Sequence, residues 1–288
     1  MDSETIVWEN NVAASGGFMS EERVALVLGA VKGIGKETGI ALAEKGIRVA
    51  LTWHDWEESY TGMVNDFSQT GTDYEIFKVN LLETDKIKDL IEDVIQRFGR
   101  LDILINNIER GGMPVVHGEY TLEQWELEMA TTLRAKRWVF THAFPYLKKS
   151  ENAVVINFSS IAGIVGRSGP ASYVFNEGYS ALNRGISLLT ETWARLGAPG
   201  VRVNEIMLGI MDTRHGTNTR GWGLFPDKIK NDLIDHTLLA RIGEIEDIVK
   251  TVMFLIDDAP FMTGSVIRLD GGYVLGGEKI YPMPKGVE

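Results

Sequence analysis

The stretch Val24-Ala25-Leu26-Val27-Leu28-Gly29-Ala30-Val31-Lys32-Gly33-Ile34-Gly35 decides the fold. Five apolar residues in a row read as a strand buried on both faces. Three glycines then make a tight turn, and the helical pattern from Lys36 to Lys45 follows directly. Glycine tolerates the backbone angles of such a turn, and it lets main-chain N–H groups at a helix start approach a pyrophosphate. As the first strand-to-helix turn of the chain, the segment is a dinucleotide-binding candidate. Its contacts would come from Gly29, Val31, Lys32, Gly33, Ile34 and Gly35.

The same alternation continues outward from this turn. Arg48 to Thr52, Ile76 to Val79, Ile103 to Ile105, Val154 to Phe158, Val201 to Ile206 and Val266 to Leu269 read as further strands. Helix-period segments lie between them, around 56–69, 84–98, 122–147, 171–196 and 245–256. Apolar strands separated by helices predict an α/β fold with helices on both faces. Right-handed crossovers make it a doubly wound, Rossmann-type sheet of about seven parallel strands. No internal repeat or linker divides the chain, so residues 21–276 read as one domain. Residues 1–20 read as a flexible extension and 277–288 as a tail, with Met19 an alternative start.

Composition narrows the function. The 288 residues carry 29 Lys+Arg against 40 Asp+Glu, a formal charge of −11. With no basic run, this argues against nucleic acid and anionic lipid as partners. Apolar content of 44% is that of a globular protein, and no apolar stretch approaches the length of a membrane span. With zero cysteines, thiolate chemistry, disulfides and Cys-ligated metals are excluded. His54, His117, His142, His215 and His236 show no paired helical spacing, so no metal site is expected. The N-terminus lacks a signal-peptide pattern, which makes the cytoplasm the expected location.

Several motifs in order resemble the short-chain dehydrogenase/reductase family between about Val24 and Gly272. The glycine turn has the family's Gly-x-x-x-Gly-x-Gly spacing. Leu101-Asp102-Ile103-Leu104-Ile105-Asn106-Asn107 is similar to its fourth strand, and Asn157-Phe158-Ser159-Ser160 to its fifth. Tyr173 lies thirteen residues beyond Ser160, the family spacing from serine to catalytic tyrosine. Arg241-Ile242-Gly243 through Asp270-Gly271-Gly272 is similar to its C-terminal signature. The resemblance implies a nicotinamide-dependent oxidoreductase in which Tyr173 donates a proton and Ser160 steadies the substrate oxygen. A carbonyl that accepts hydride becomes an alkoxide, which needs both services.

The chain also departs from the family pattern. Four residues after Tyr173, where the family has a Lys, stands Glu177. The family's helix Asn maps to Thr132, so Ser160, Tyr173, Glu177 and Thr132 form the expected catalytic set. An ionised Glu177 would oppose phenolate formation and leave the Tyr an acid rather than a base. Lys136 or Arg137 could pair with Glu177 and partly restore positive charge; the alternative is that both are solvated or lie at a subunit contact. The family's Asn-Asn-Ala-Gly becomes Asn106-Asn107-Ile108-Glu109, which brings bulk and charge towards the cofactor. Asn80 replaces an Asp beside the adenine, with Leu81 next to it, and Leu208-Gly209 replaces Pro-Gly, while Thr213 is kept.

Trp53 stands where an acid would favour NAD, whereas Lys32 and His54 suit the 2′-phosphate of NADP. NADP is therefore preferred, with Asp55 keeping NAD open. Asn107, Gly209, Thr213 and Tyr173 complete the expected cofactor contacts. A substrate loop at about 210–226 carries Arg214, His215, Arg220, Trp222 and Phe225, which suits a small carbonyl or alcohol, anionic or acyl, with an apolar body. The resemblance implies a homotetramer or homodimer through the long helices, which carry Trp138, Phe140, Leu188 and Trp193. Two function classes stand open: a carbonyl reductase, and a catalytically impaired protein of the same fold that binds a nucleotide or a partner.

Overall fold

The computed structural model describes residues 23–108, 120–213, 222, 225–278, 280–284 and 286. The expected extension 1–20, Glu109, His117, Arg214, His215 and Arg220 lie outside them. The elements follow in order: β1 (Val24–Val27), α1 (Gly33–Glu44), β2 (Arg48–Trp53), α2 (Glu57–Ser68), β3 (Tyr74–Lys78), α3 (Thr84–Phe98), β4 (Ile103–Asn106), α4 (Leu122–Glu128), α5 (Lys136–Leu147), β5 (Ala153–Ser160), α6 (Ala162–Val165), α7 (Glu177–Gly197), β6 (Val201–Leu208), β7 (Met211–Asp212), α8 (Asp227–His236), β8 (Gly243–Glu244), α9 (Ile245–Met253) and β9 (Val266–Leu269). Seven strands form one sheet in the order β3-β2-β1-β4-β5-β6-β9, and each described pairing is parallel. This is the doubly wound sheet the sequence predicts.

The strand period of two sorts side chains onto the two faces. Ala25, Val27, Leu51 and Ile105 face a core completed by Leu42 of α1, Phe67 of α2 and Val252 of α9. Leu26, Leu28, Ala50 and Leu104 face the opposite core, against α3, α5 and α7. α3 shows the helical version of the rule, burying Ile87, Leu90, Ile91, Val94 and Phe98 on one stripe. It stops at Gly99, whose φ of 80° is the left-handed C-terminal cap that glycine adopts without strain.

Two helices differ from the sequence expectation. The 122–147 segment is helical throughout but contains a π-helical stretch, Met129–Ala135, between α4 and α5. The 171–196 segment is divided as well. A 3₁₀ turn, Gly169–Tyr173, comes first, and α7 begins only at Glu177. Gly166 and Gly169 adopt φ of 57° and 55°, and Pro170 opens the 3₁₀ turn. These break points hold the chain out of α-helix until Asn176 caps α7.

The aromatic residues of the long helices also divide. Phe140 and Trp193 stack with ring centroids 4.3 Å apart inside the core, so they are unavailable to a subunit contact. Leu188 is 67% exposed. Among the described residues, no helix is long and apolar enough to cross a membrane.

Candidate active site

Strand order reverses between β1 and β4, and the C-terminal strand ends open there into a cavity of about 390 Å³. This is where an open α/β sheet offers a ligand crevice. Gly29, Val31, Lys32, Gly33 and Ile34 line it, with Trp53 at the end of β2, His54, Asp55 and Trp56 after it, and Asn80 and Leu81 after β3. Asn107 and Ile108 follow β4, while Gly209, Thr213, Trp222 and Phe225 follow β6.

The glycine turn is built by close approach. A Cβ on Gly29 would lie 2.6 Å from the Asn107 carbonyl oxygen, and one on Gly33 would lie 2.9 Å from that of Thr213. At Gly35 it would lie 2.3 Å from the Gly29 carbonyl oxygen, so the third glycine lets α1 pack onto the turn. Gly35 thus shapes the cavity without being in its lining. Asn107 donates from Nδ2 to the carbonyls of Leu28 and Gly29 at 3.3 and 3.4 Å. Asn80 turns its side chain into its own loop, accepting from Leu82 N–H at 3.1 Å and donating to Glu83 at 3.0 Å. Lys32 places Nζ 3.0 Å from the ring centre of Trp56, a cation–π contact. Trp53 packs on Tyr60 at 4.5 Å, with Lys78 Nζ 4.4 Å from its ring.

At the other end of the cavity, three consecutive residues of β5 are each held by a different element. Lys136 of α5 donates to the Phe158 carbonyl at 2.7 Å. Ser159 donates its hydroxyl proton to Glu205 of β6. The Ser160 N–H donates to Asn183 Oδ1 of α7 at 2.8 Å. Ser160 Oγ accepts the Ala162 N–H at 3.2 Å, which leaves its own O–H to donate elsewhere. Lys136 and Glu205 are both buried. Burial pushes the Glu205 carboxyl up, against the opposing pull of Ser159, Ser187 and the Lys136 charge.

The structure gathers only part of the expected catalytic set. Ser160 lines the cavity, whereas Tyr173, Glu177 and Thr132 are not among its described lining residues. Tyr173 sits on the 3₁₀ turn, 37% exposed. Glu177 is exposed and pairs with Arg167 at 2.9 Å, which holds its carboxyl below the usual range. The pairing of Glu177 with Lys136 or Arg137 is therefore not formed. Lys136 is committed to β5, and Arg137 lies over Trp138 and beside Thr141. Thr132 is buried in the π-helical stretch, and its neighbour Thr131 lines the cavity instead. A π turn shifts side-chain phase relative to the α-helical count from Pro145.

Tyr179 also lines the cavity, with Ser160, Glu128 and Asn176. It is the third residue of α7, and its N–H donates to the cap Asn176 Oδ1 at 2.8 Å. Four residues on, and so one helical turn along the same face, stands the buried Asn183. The available sequence signal was Asn176 itself, a favoured N-cap residue placed three before a tyrosine. Among the described residues no cluster of His, Asp and Glu could hold a metal.

Comparison with known proteins agrees with this architecture. A family model described as enoyl-(acyl carrier protein) reductase matches residues 29–274. A 3-oxoacyl-[acyl-carrier-protein] reductase of Thermotoga maritima is 30% identical over 259 residues, covering 88% of this chain and 99% of its own. One from Staphylococcus aureus is 31% identical over 260 residues, with 88% and 99% covered. Among solved structures, a short-chain dehydrogenase/reductase of Serratia marcescens superposes with a TM-score of 0.76 at 21% identity, covering 89% of this chain and 100% of its own. A short-chain type dehydrogenase/reductase of Mycobacterium ulcerans gives 0.74 at 24% identity, with 89% and 91% covered. At these identities the structural likeness speaks for the fold.

Proposed function

The chain belongs to the short-chain dehydrogenase/reductase family of NAD(P)-dependent oxidoreductases, and from that premise we propose that it reduces a carbonyl to an alcohol with Tyr173 as proton donor and Ser160 as oxygen partner. The observation that carries this reading is that Ser160 shares one cavity with the glycine turn. Tyr173 stands thirteen residues beyond Ser160 and directly before Val174 and Phe175, which line the cavity.

The residues fit a dinucleotide. Any side chain at Gly29 or Gly33 would fill the cradle beneath the turn. Main-chain N–H groups at the start of α1 suit a pyrophosphate. Trp53, His54, Asn80 and Leu81 would flank the adenosine, and Asn107, Gly209 and Thr213 would meet the remainder. The cofactor, when bound, supplies hydride. Lys32 is the one Lys or Arg among the described lining residues, which favours the 2′-phosphate of NADP. Asp55, also in the wall, keeps NAD as the second choice.

The substrate oxygen would accept the Ser160 hydroxyl proton as a hydrogen bond while negative charge builds on it. The Tyr173 phenol then completes the alcohol. Glu177, four residues along, supplies no positive charge to stabilise a phenolate. That suits a tyrosine acting as an acid, and so the direction of reduction. The names of the relatives make a 3-oxoacyl thioester the first substrate to test. We further infer a cytoplasmic homo-oligomer, with the exposed Leu188 face of α7 as a contact.

The test pairs nucleotide titration with a reductase assay. NADPH binding in the micromolar range is expected, with turnover of a 3-oxoacyl thioester or a simple ketone. Tyr173→Phe should lower turnover about 10²- to 10⁴-fold, the range for a lost general acid, with the smaller effect at Tyr179→Phe. The reverse ranking would overturn the assignment of the proton donor. Failure to bind either nucleotide at millimolar concentration would leave the partner-binding reading.

A further inference from the structure

Trp56 breaks two local rules at once. It stands at φ 71° and ψ 51°, left-handed backbone that a bulky side chain rarely adopts. It is also the N-cap of α2, a place for Ser, Thr, Asp, Asn or Gly, and its side chain makes no capping hydrogen bond. Among the described residues only one other non-glycine, Ala240, has a positive φ. A strained residue persists where its surroundings hold it, and such outliers gather at binding sites. Glycine or asparagine would start α2 here with less strain. The compensation therefore lies in what the indole touches.

Trp56 is half-buried against the core on the α1 and α2 face of the sheet. Its ring also carries the Lys32 ammonium, with Nζ 3.0 Å from the ring centre. Lys32 is the N-cap of α1, so this contact joins the starts of two helices. Both residues line the cavity. A second cation, Lys78, lies over Trp53 and pairs with Glu57 at 2.5 Å, but it is not among the described lining residues.

A long lysine side chain loses rotamer freedom when it grips a ligand. Held on the indole beforehand, Lys32 has already given up part of that freedom. An aromatic face attracts an ammonium yet has no net charge, so it restrains the cation without cancelling it as a carboxylate would.

We propose that Trp56 is a positioning residue for Lys32, presetting the ammonium for the 2′-phosphate of NADP and so setting the choice between the two nucleotides. The inference rests on the assignment of Lys32 to that phosphate, and its test separates the two.

Equilibrium titration with adenosine 2′,5′-bisphosphate and adenosine 5′-phosphate reads the 2′-phosphate alone, with no turnover and no nicotinamide. Trp56→Leu keeps apolar bulk but removes the aromatic face. It should weaken the bisphosphate about fivefold, the scale of one cation–π contact, and leave the monophosphate within about twofold. Trp56→Phe keeps a face and should retain most of the preference. In a Lys32→Ala background, Trp56→Leu should leave the preference where Lys32→Ala alone puts it, because the coupling runs through Lys32. Should Trp56→Leu fail to fold, Trp56→Gly carries the test, since glycine adopts this backbone freely and still removes the ring.

Equal losses for both nucleotides in Trp56→Leu would make Trp56 a support of α2 and overturn the proposal. So would a full effect of Trp56→Leu on the preference once Lys32 is gone. If Lys32→Ala itself weakens both nucleotides equally, the 2′-phosphate reading falls and the positioning role with it. If Lys32→Ala discriminates while Trp56→Leu leaves the preference unchanged, that reading stands and the positioning role alone falls.

Discussion

Asn183 Oδ1 takes the backbone N–H of Ser160 at 2.8 Å, joining the buried face of α7 to the last residue of β5. The same asparagine returns its Nδ2 to the Tyr179 carbonyl at 2.9 Å. One side chain thus ties Ser160 to a second residue of the cavity wall.

Asn183→Ala leaves the Ser160 N–H without its acceptor in the interior. An unsatisfied buried donor costs about 1–3 kcal/mol, so urea unfolding should show a loss of that size. Reductase turnover should fall with it, because Ser160 loses the contact that holds it. A variant with unchanged stability would show that water replaces the contact.

Lys32 lies against Trp56 within the cavity wall and is the cation proposed for the 2′-phosphate of NADP. Lys32→Ala should weaken NADPH binding about tenfold or more, the scale of one charge-assisted contact. NADH should be affected much less. Equal losses for both nucleotides, measured by titration at one ionic strength, would show that Lys32 serves the turn and not the phosphate.

Gly35→Ala would set a Cβ 2.3 Å from the Gly29 carbonyl oxygen, a backbone atom that cannot move aside cheaply. Overpacking of this kind costs about 1–3 kcal/mol or more. The expected result is a lower melting temperature together with loss of nucleotide binding. Retained binding would mean that the turn opens without harm.

Asp102 is buried at the foot of β4. Burial pushes its carboxyl up, but hydrogen bonds from Arg100, Ser150 and the Val24 N–H outweigh it and hold it below the usual range. A carboxyl depressed in the folded state contributes stability above the unfolded value near 3.9, and that contribution is lost as pH falls through the folded value. Asp102→Asn should therefore cost about 1.5–3 kcal/mol at pH 7, as for hydrogen bonds to a charged group. Denaturant curves for the two proteins should converge at pH values below about 4. A gap that persists there would assign the loss to shape and not to charge.

The sheet was legible because its evidence is local and repeated. Each strand is an apolar run, and each helix carries its own stripe, as in Ile87, Leu90, Ile91, Val94 and Phe98. Gly29, Gly33 and Gly35 likewise declare the turn, since only glycine permits those approaches. The start of α7 was not legible in this way. A count of thirteen from Ser160 reaches Tyr173, but a count carries no information about where a helix begins. Gly166, Gly169 and Pro170 delay α7 until Asn176, so Tyr173 falls on an exposed 3₁₀ turn and Tyr179 enters the cavity. The partner of Glu177 was hidden for a related reason. Lys136 stands at the start of a helix whose preceding π turn rotates it under β5, which leaves Arg167 to meet the glutamate. Local pattern determined the sheet and its glycine turn. Which side chains meet across α4, β5 and α7 was decided only by the packed chain, because helix phase and helix start depend on contacts between segments far apart in sequence.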